Sequence, residues 1–269
     1  MGNQESPLVS VIMPAYNSEK FIEQAIESVF GQKGGFLTEL IVINDGSSDH
    51  TKEVVEEVWN KYVDDGGLYP ENCCAKCRCQ FCYLENHKNL GVAESRNIGI
   101  RQAAGKYIAF LDADDWWSED KLQKQIALME RVDAPLCGTG RELMNPDGTK
   151  REKEIGIPSE ITYNMLLRTN SIPCSSVLAK AQVVREFYMC HDELHEDYIL
   201  WLRIVQKYGK VYGIDEPLLK SRLSEGGKSR NKWKSAKMQY GVYRYLGYGW
   251  MESCYYFVQY AWNGIRKYV

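Results

Sequence analysis

An apolar run that stops at three carboxylates sets the terms for this chain. Gly105-Lys106-Tyr107-Ile108-Ala109-Phe110-Leu111-Asp112-Ala113-Asp114-Asp115 reads as a buried parallel strand, opened by glycine and closed by acids. In an open α/β sheet, ligands gather at the carboxyl ends of strands. Asp112, Asp114 and Asp115 would then stand together on the ligand edge. Carboxylates this close repel one another unless a positive charge sits among them. A hard divalent cation, Mg2+ or Mn2+, shared with substrate phosphates is the natural partner. The same acids before Trp116-Trp117-Ser118 could equally cap a following helix, so this run alone leaves site and cap open.

The stretches before it decide between the two. Leu8 to Met13 is a β-rich apolar run ending at Pro14, and Pro14-Ala15-Tyr16-Asn17 is the turn after it. Phe21, Ala25 and Val29, with Ile22, Ile26 and Phe30, repeat at i+4 and predict a helix that Gly31 and the Gly34-Gly35 pair end. Leu40 to Ile43 is a second strand. It breaks at Asn44-Asp45-Gly46-Ser47-Ser48-Asp49, turn chemistry leading into a capped helix with Val54, Val55, Val58, Trp59 and Tyr62 on its buried face. Gln80 to Leu84 suits a third strand. Asn89 to Ile100 reads as a loop running into a helix, with Arg96 on its first turns. Strand–helix alternation in this order predicts an α/β fold with a doubly wound, mostly parallel sheet. Three strands then end in polar turns, at Tyr16-Asn17, at Asp45 and at Asp112 to Asp115. Three such turns on one edge make a binding cleft.

The second half is less regular. A helix is expected through Leu122, Ile126 and Met129, then a hairpin from Cys137 to Thr149 around Asn145-Pro146-Asp147-Gly148. Thr162 to Leu167 and Val177 to Phe187 suit helix or short strand alike. Asp197 opens a helix with Leu200, Ile204, Tyr208, Trp201 and Val205 on its apolar side, closed by Gly209. On its own, Asp197 reads as an N-cap as readily as a catalytic acid. His191 and His195 lack a matching partner and read as polar surface or acceptor-side residues.

Composition excludes several classes. Hydrophobic content of 44% and charge of 26% are those of a soluble globular protein, and a net charge of -3 gives no electrostatic reason to bind nucleic acid. No apolar run approaches membrane-spanning length, and Met1 to Pro7 is polar without a signal-peptide core, so the expected location is the cytoplasm. Five of the nine cysteines cluster at Cys73, Cys74, Cys77, Cys79 and Cys82. One residue between the two CxxC pairs is too little for a two-knuckle zinc site, which favours reduced thiols in an insert. From Leu218 the composition changes: ten Lys and Arg stand against Glu225 and Glu252, interleaved with Tyr and Trp. Such a segment suits an interfacial helix on an anionic membrane, or a helix packing its rings on its own domain.

Val9-Ser10-Val11-Ile12-Met13-Pro14-Ala15-Tyr16-Asn17, Ile43-Asn44-Asp45-Gly46-Ser47-Ser48-Asp49, Gly91-Val92-Ala93-Glu94-Ser95-Arg96-Asn97, Phe110-Leu111-Asp112-Ala113-Asp114-Asp115 and His195-Glu196-Asp197-Tyr198-Ile199-Leu200-Trp201-Leu202-Arg203 resemble, in order and spacing, the family 2 glycosyltransferases. The resemblance spans about Leu8 to Lys234, and the tail is similar to that of bacterial cell-surface polysaccharide enzymes such as teichuronic acid glycosyltransferases. It implies a GT-A fold over 1–217, divided into a nucleotide-sugar half at 8–117 and an acceptor half at 118–217, with a helical tail at 218–269. It implies metal-dependent inverting transfer from a nucleotide-diphosphate sugar, with UDP expected, to a glycan or lipid-linked acceptor. By position, Pro14, Ala15, Tyr16 and Asn17 would hold the base, with Tyr16 against the uracil and Asp45 accepting its N–H. Arg96 would lie near the nucleotide. Asp112, Ala113 and Asp114 match the Asp-x-Asp motif that meets ribose and metal, and Asp115 is a further metal candidate. Asp197 matches the catalytic base, with Glu196 beside it as the other possibility. Arg222 and Ser229 match a lid, at 220–232, over the diphosphate. Peripheral membrane contact would run through 233–269.

The chemistry fits independently. Inverting transfer needs one base for the acceptor hydroxyl and a cation for the departing diphosphate, and the sequence offers two separate acidic sites. A nucleotidyltransferase would want a Gly-rich basic loop after the first strand, which Pro14-Ala15-Tyr16-Asn17 is not. The intact acids argue against an inactive binding module.

Overall fold

The computed structural model describes residues 6–62, 73–74, 79–190, 193–223 and 232–268. In chain order its elements are β1 (Val9–Ala15), α1 (Ile22–Phe30), β2 (Thr38–Asn44), α2 (Thr51–Tyr62), β3 (Cys73–Cys74), β4 (Cys79–Glu85), α3 (Val92–Gln102) and β5 (Tyr107–Phe110). Then come β6 (Trp116–Trp117), α4 (Lys121–Val132), β7 (Leu136–Met144), β8 (Lys150–Ile155), β9 (Glu160–Thr162), α5 (Tyr163–Arg168) and β10 (Leu178–Lys180). They are followed by α6 (Ala181–Phe187), α7 (Glu196–Tyr208), β11 (Lys210–Arg222), α8 (Lys232–Tyr245) and α9 (Trp250–Tyr268).

The strands form one sheet in the order β3-β4-β2-β1-β5-β10-β7-β11-β6, with β8 added to β7 and β9 to β11. The runs of Val, Ile and Leu in β1 and β2 are buried on both faces, as central parallel strands require. β4, β2, β1 and β5 are parallel, with Val11 opposite Leu40 and Ala109, and these strands meet the expectation of a doubly wound sheet. The antiparallel strands gather in the second half, where β10 lies between β5 and β7 and runs against both. One core layer packs α1, α2 and α4 on the sheet, and the other packs α3, α6 and α7. α3 approaches β1 closely because residue 99 is glycine: a Cβ there would stand 2.5 Å from Ile12 Cγ2. That close packing seats Arg96 at the ligand edge.

Several local expectations change. β1 continues through Pro14 to Ala15. Ile12 accepts from Leu111 on the β5 side and Ala15 from Asp45 on the β2 side. By alternation Pro14 faces β5 beyond its last pair, so its missing N–H costs no ladder bond. The acids at 112–115 cap no helix. They close a turn, Asp115 N–H to the Asp112 carbonyl at 3.0 Å, and strand β6 follows. α7 starts one residue before Asp197, with His195 at the N-cap, so Asp197 lies in the first turn. The ambiguous stretches resolve as helix α5 and as strand β10 followed by helix α6. The hairpin at 137–149 forms, as β7 paired with β8.

β11 carries the chain through positions 217 and 218, where the composition changes, and α8 begins beyond it. The two tail helices send some rings inward: Tyr243 donates to the Leu167 carbonyl at 2.7 Å, and the Tyr260 ring pairs with Tyr198 at 6.3 Å. Trp250, Met251, Tyr255, Val258 and Trp262 of α9 point outward. Among the described residues no helix is long and apolar enough to cross a membrane. Of the cysteine cluster, Cys79 lies in the α1–α2 core layer while Cys82 packs on the opposite layer. An odd spacing along a strand puts them on different faces, so this CxxC pair cannot chelate one metal.

Candidate active site

Two loops build the first cavity. The β1–α1 turn presents Tyr16, 50% exposed, and Asn17 in the left-handed region at φ 50°. Asn17 N–H donates to Ser47 Oγ at 3.0 Å, its Oδ1 accepts Ser48 N–H at 2.9 Å, and Ser18 N–H donates to Thr51 Oγ1 at 2.8 Å. These bonds stitch the turn to the loop after β2. Asp49, accepting from Glu19, the Thr51 hydroxyl and Thr51 N–H, is held below the usual carboxylate range by those bonds despite some burial. Asp45 is buried beneath. Its carboxylate accepts from Asn86 Nδ2 at 2.8 Å, Leu90 N–H at 2.9 Å and Gly91 N–H at 2.9 Å. Asp45 therefore pins the 86–91 loop, and three of its roughly four acceptor positions are filled. Gly46, φ 70°, lets that loop pass: a Cβ would lie 2.8 Å from the Lys88 backbone. The cavity has a volume of about 960 Å3 and is lined by Pro14, Ala15, Tyr16, Asn17, Asp45, Asp112, Ala113 and Asp114, among others.

The acid turn is its floor. Asp112 N–H donates to Ser175 Oγ at 3.1 Å, and Trp117 Nε1 donates to the Ser175 carbonyl at 2.7 Å. Asp115 is buried and accepts Arg222 N–H at 2.9 Å. Burial, then the charges of Asp114 and Asp112, push the Asp115 carboxyl well above its ordinary value. Arg222 sits at the end of β11 rather than on a free loop. Its guanidinium lies over the rings of Phe21, 4.5 Å from the centroid, and Trp116, 4.8 Å, and donates to the Asp114 carbonyl, the Pro146 carbonyl and Gln24 Oε1. Ser229 lies outside the described residues.

A second chamber of about 530 Å3 shares Val92, Asp112 and Asp114 with the first and also reaches Asp115, Arg141, Asn170, Ser235, Tyr260 and Asp197. Arg96 lines this chamber and not the first cavity. Its buried guanidinium donates to Asp112 Oδ1 at 2.6 Å and to Glu196 Oε1 at 2.9 Å. Glu196 is buried and committed to that ion pair. Asp197, half-buried beside it, takes Tyr198 N–H at 2.7 Å. Burial first, and the Glu196 charge second, raise its pKa to about 7, while Arg96 pulls the other way. A carboxylate near neutrality is suited to exchange a proton at working pH. Cys174, in the same chamber, stays a thiol because burial pushes its pKa well up.

The donor set suits a cation. Mg2+ and Mn2+ take carboxylate oxygens, commonly one or two from the protein and the rest from phosphates and water. Asp114, at the junction of both cavities, and the crowded Asp115 offer hard oxygens, and a cation would relieve the repulsion from Asp114 and Asp112 that adds to burial in raising Asp115. Among the described residues no group of three or more His, Cys, Asp or Glu is arranged to hold a metal by itself.

The structure thus gathers every candidate it describes around two adjoining cavities, with Arg96 in the wall of the second and Arg222 tied to the acid turn behind. Sequence reasoning missed Ser175, Arg141, Asn170, Ser235 and Tyr260. These are isolated polar residues in irregular or distant segments, and only the aromatic excess of the tail hinted at Tyr260.

Comparison with known proteins identifies the family and the fold. The sequence profile of Glycosyl transferase family 2 matches residues 10–179. A Bacillus subtilis protein named for teichuronic acid biosynthesis, the glycosyltransferase TuaG, is 35% identical over 262 residues, 97% of each chain. The Escherichia coli UDP-Glc:alpha-D-GlcNAc-diphosphoundecaprenol beta-1,3-glucosyltransferase WfgD is 32% identical, over 97% of this chain and 94% of that one. Among solved structures, Staphylococcus aureus TarS 1–349 with UDP-GlcNAc aligns at a TM-score of 0.67 and 18% identity, over 94% of this chain and 71% of that one. The Pyrobaculum calidifontis mannosyltransferase PcManGT with GDP-Man and Mn2+ aligns at 0.64 and 16%, over 94% and 70%. The fold is that of the GT-A glycosyltransferases, and the chain belongs to glycosyl transferase family 2.

Proposed function

We propose that this protein is an inverting, cation-dependent glycosyltransferase that moves a sugar from a UDP-sugar to a glycan or lipid-linked acceptor in cell-surface polysaccharide synthesis. The observation that carries the reading is the junction of the two cavities at Asp112 and Asp114, with Asp197 in the second. The nucleotide occupies the first cavity, its base against Tyr16 and above Asp45. The acceptor occupies the second. Asp197, with its pKa near 7, takes the proton of the attacking acceptor hydroxyl as that oxygen bonds to the anomeric carbon and the diphosphate leaves from the opposite side. Glu196 is occupied by Arg96 and serves as a positioning residue. It supports Asp197 as the base over Glu196. Arg96 joins the floor of the donor cavity to the base helix. A divalent cation held by Asp114 and Asp115 would neutralise the departing diphosphate. The named donor and acceptor of the E. coli relative, UDP-glucose and a diphosphoundecaprenol-linked GlcNAc, support a UDP-sugar and a lipid-linked acceptor here, met at the inner membrane face through the 233–269 tail.

The test is UDP release from a panel of UDP-sugars, with Mn2+ and with EDTA, for the wild type and Asp197→Asn. Expected are metal-dependent release from one sugar, loss of release in EDTA, and a variant that binds UDP but does not transfer. Full activity in EDTA would remove the cation, and normal transfer by the variant would remove Asp197 as base.

A further inference from the structure

The outer face of α9 has the composition of an interior. Met251, Tyr255, Val258 and Trp262 recur at helical spacing and are all exposed, Met251 by 67% and Val258 by 64%, and Trp250 and Cys254 are exposed beside them. At 100° per residue these six positions fall within an arc of about 140°. No charged residue lies in the arc, and Glu252 stands to one side. A solvated helix face carries charges, whereas an uncharged aromatic face marks a contact surface. The sequence of the two tail helices is one-sided in charge: residues 232–267 hold six basic residues to one acidic, on a chain whose net charge is -3. An apolar face on a basic helical pair, attached to an acidic protein, matches an anionic bilayer surface.

The opposite face of the same helix reaches the second chamber through Tyr260. Tyr260 is nine residues from Met251, about two and a half turns, and so points to the other side. It lines the chamber that holds Asp197. One helix thickness, about 10 Å, separates the apolar stripe from that chamber.

We infer that the Met251–Trp262 face of α9 docks on an anionic membrane and thereby holds the acceptor chamber about one helix thickness from the lipid headgroups, where a lipid-anchored acceptor is presented. The docking stands on the helix face and its charge, and the acceptor clause rests on the transferase function proposed above. The experiment is flotation of the full-length protein with phosphatidylcholine vesicles and with vesicles containing phosphatidylglycerol, beside Met251→Glu/Val258→Glu. Both positions are exposed and line neither cavity. The wild type should bind the anionic vesicles alone, less tightly as salt rises. The variant should bind roughly 100-fold more weakly, about tenfold for each apolar side chain withdrawn, while UDP release from the UDP-sugar is unchanged. Absence of anionic-vesicle binding, or a variant that binds like the wild type, overturns the inference. So does a wild-type dimer that the variant dissociates, which would give the face to a second copy. Vesicle binding without UDP release from any donor would instead leave docking intact and count against the transferase function.

Discussion

Replacing Asp197 by Asn should stabilise this protein while abolishing transfer, and the gain should depend on pH in a defined direction. The carboxyl has an ordinary value of 3.8 and is raised to about 7 by burial and by Glu196. Between those values the folded state holds a proton that the unfolded state has released. Stability is therefore undiminished below about pH 4, falls as pH rises, and levels off above about pH 7. At about 1.4 kcal/mol per pH unit the total is about 4 kcal/mol, an upper bound. Asn keeps the volume and an Oδ1 to accept Tyr198 N–H, and carries no charge. Urea unfolding of both proteins at about pH 4.5 and pH 8.5 checks this. The variant should exceed the wild type by a few kcal/mol at the higher pH and by little at the lower. A difference that does not change with pH, or an Asn variant that is the weaker at pH 8.5, would refute the claim that the Asp197 carboxylate is held at the expense of the fold.

Arg96→Met leaves Glu196 buried without its cation, while the half-exposed Asp112 is screened. The expected loss is about 3 kcal/mol, or roughly 10 °C in Tm, and an unchanged melting curve would show that the bridge is not structural. Tyr16→Ala, at a half-exposed ring, should raise KM for the UDP-sugar with Tm unchanged, and equal KM would take the base elsewhere in the cavity. Lys121 is fully buried over the Trp117 ring at 4.0 Å, and burial lowers its pKa to about 7. The unfolded state binds its proton between pH 7 and pH 10.5, so Lys121→Met should be more stable than the wild type at pH 7, with the gain fading toward pH 10.5. A gain that persists unchanged above pH 10.5 would mean that the lysine charge is not what costs stability.

The first half of the fold was legible because its signals are local. Apolar runs four to seven residues long, each closed by a polar turn, specify parallel strands, and their common edge follows from chain direction. The second half depends on partners far away in the chain. Leu178 to Lys180 becomes a strand because β5 and β7 each offer it an open edge, and no three-residue sequence announces that. The acids of the cleft were visible, yet their pairing was not. Glu196 and Asp197 are adjacent in sequence, and only the bridge from Arg96, 100 positions before Glu196, sets their surroundings apart. Arg222 was legible as a cation near the site. Its contacts with the rings of Phe21 and Trp116 were not, since they join three distant segments.

The placement of β10 has a consequence during synthesis. β5 is complete at Phe110, but the strand that covers its open side begins at Leu178. At roughly 5–20 residues per second the ribosome needs several seconds to deliver the intervening chain. Through that interval an apolar edge of Tyr-Ile-Ala-Phe stands unpaired on a nascent polypeptide, available to any other strand. A ribosome paused between residues 110 and 178 would prolong that exposure, so yield in the cell should respond to codon choice in that interval more than in the tail.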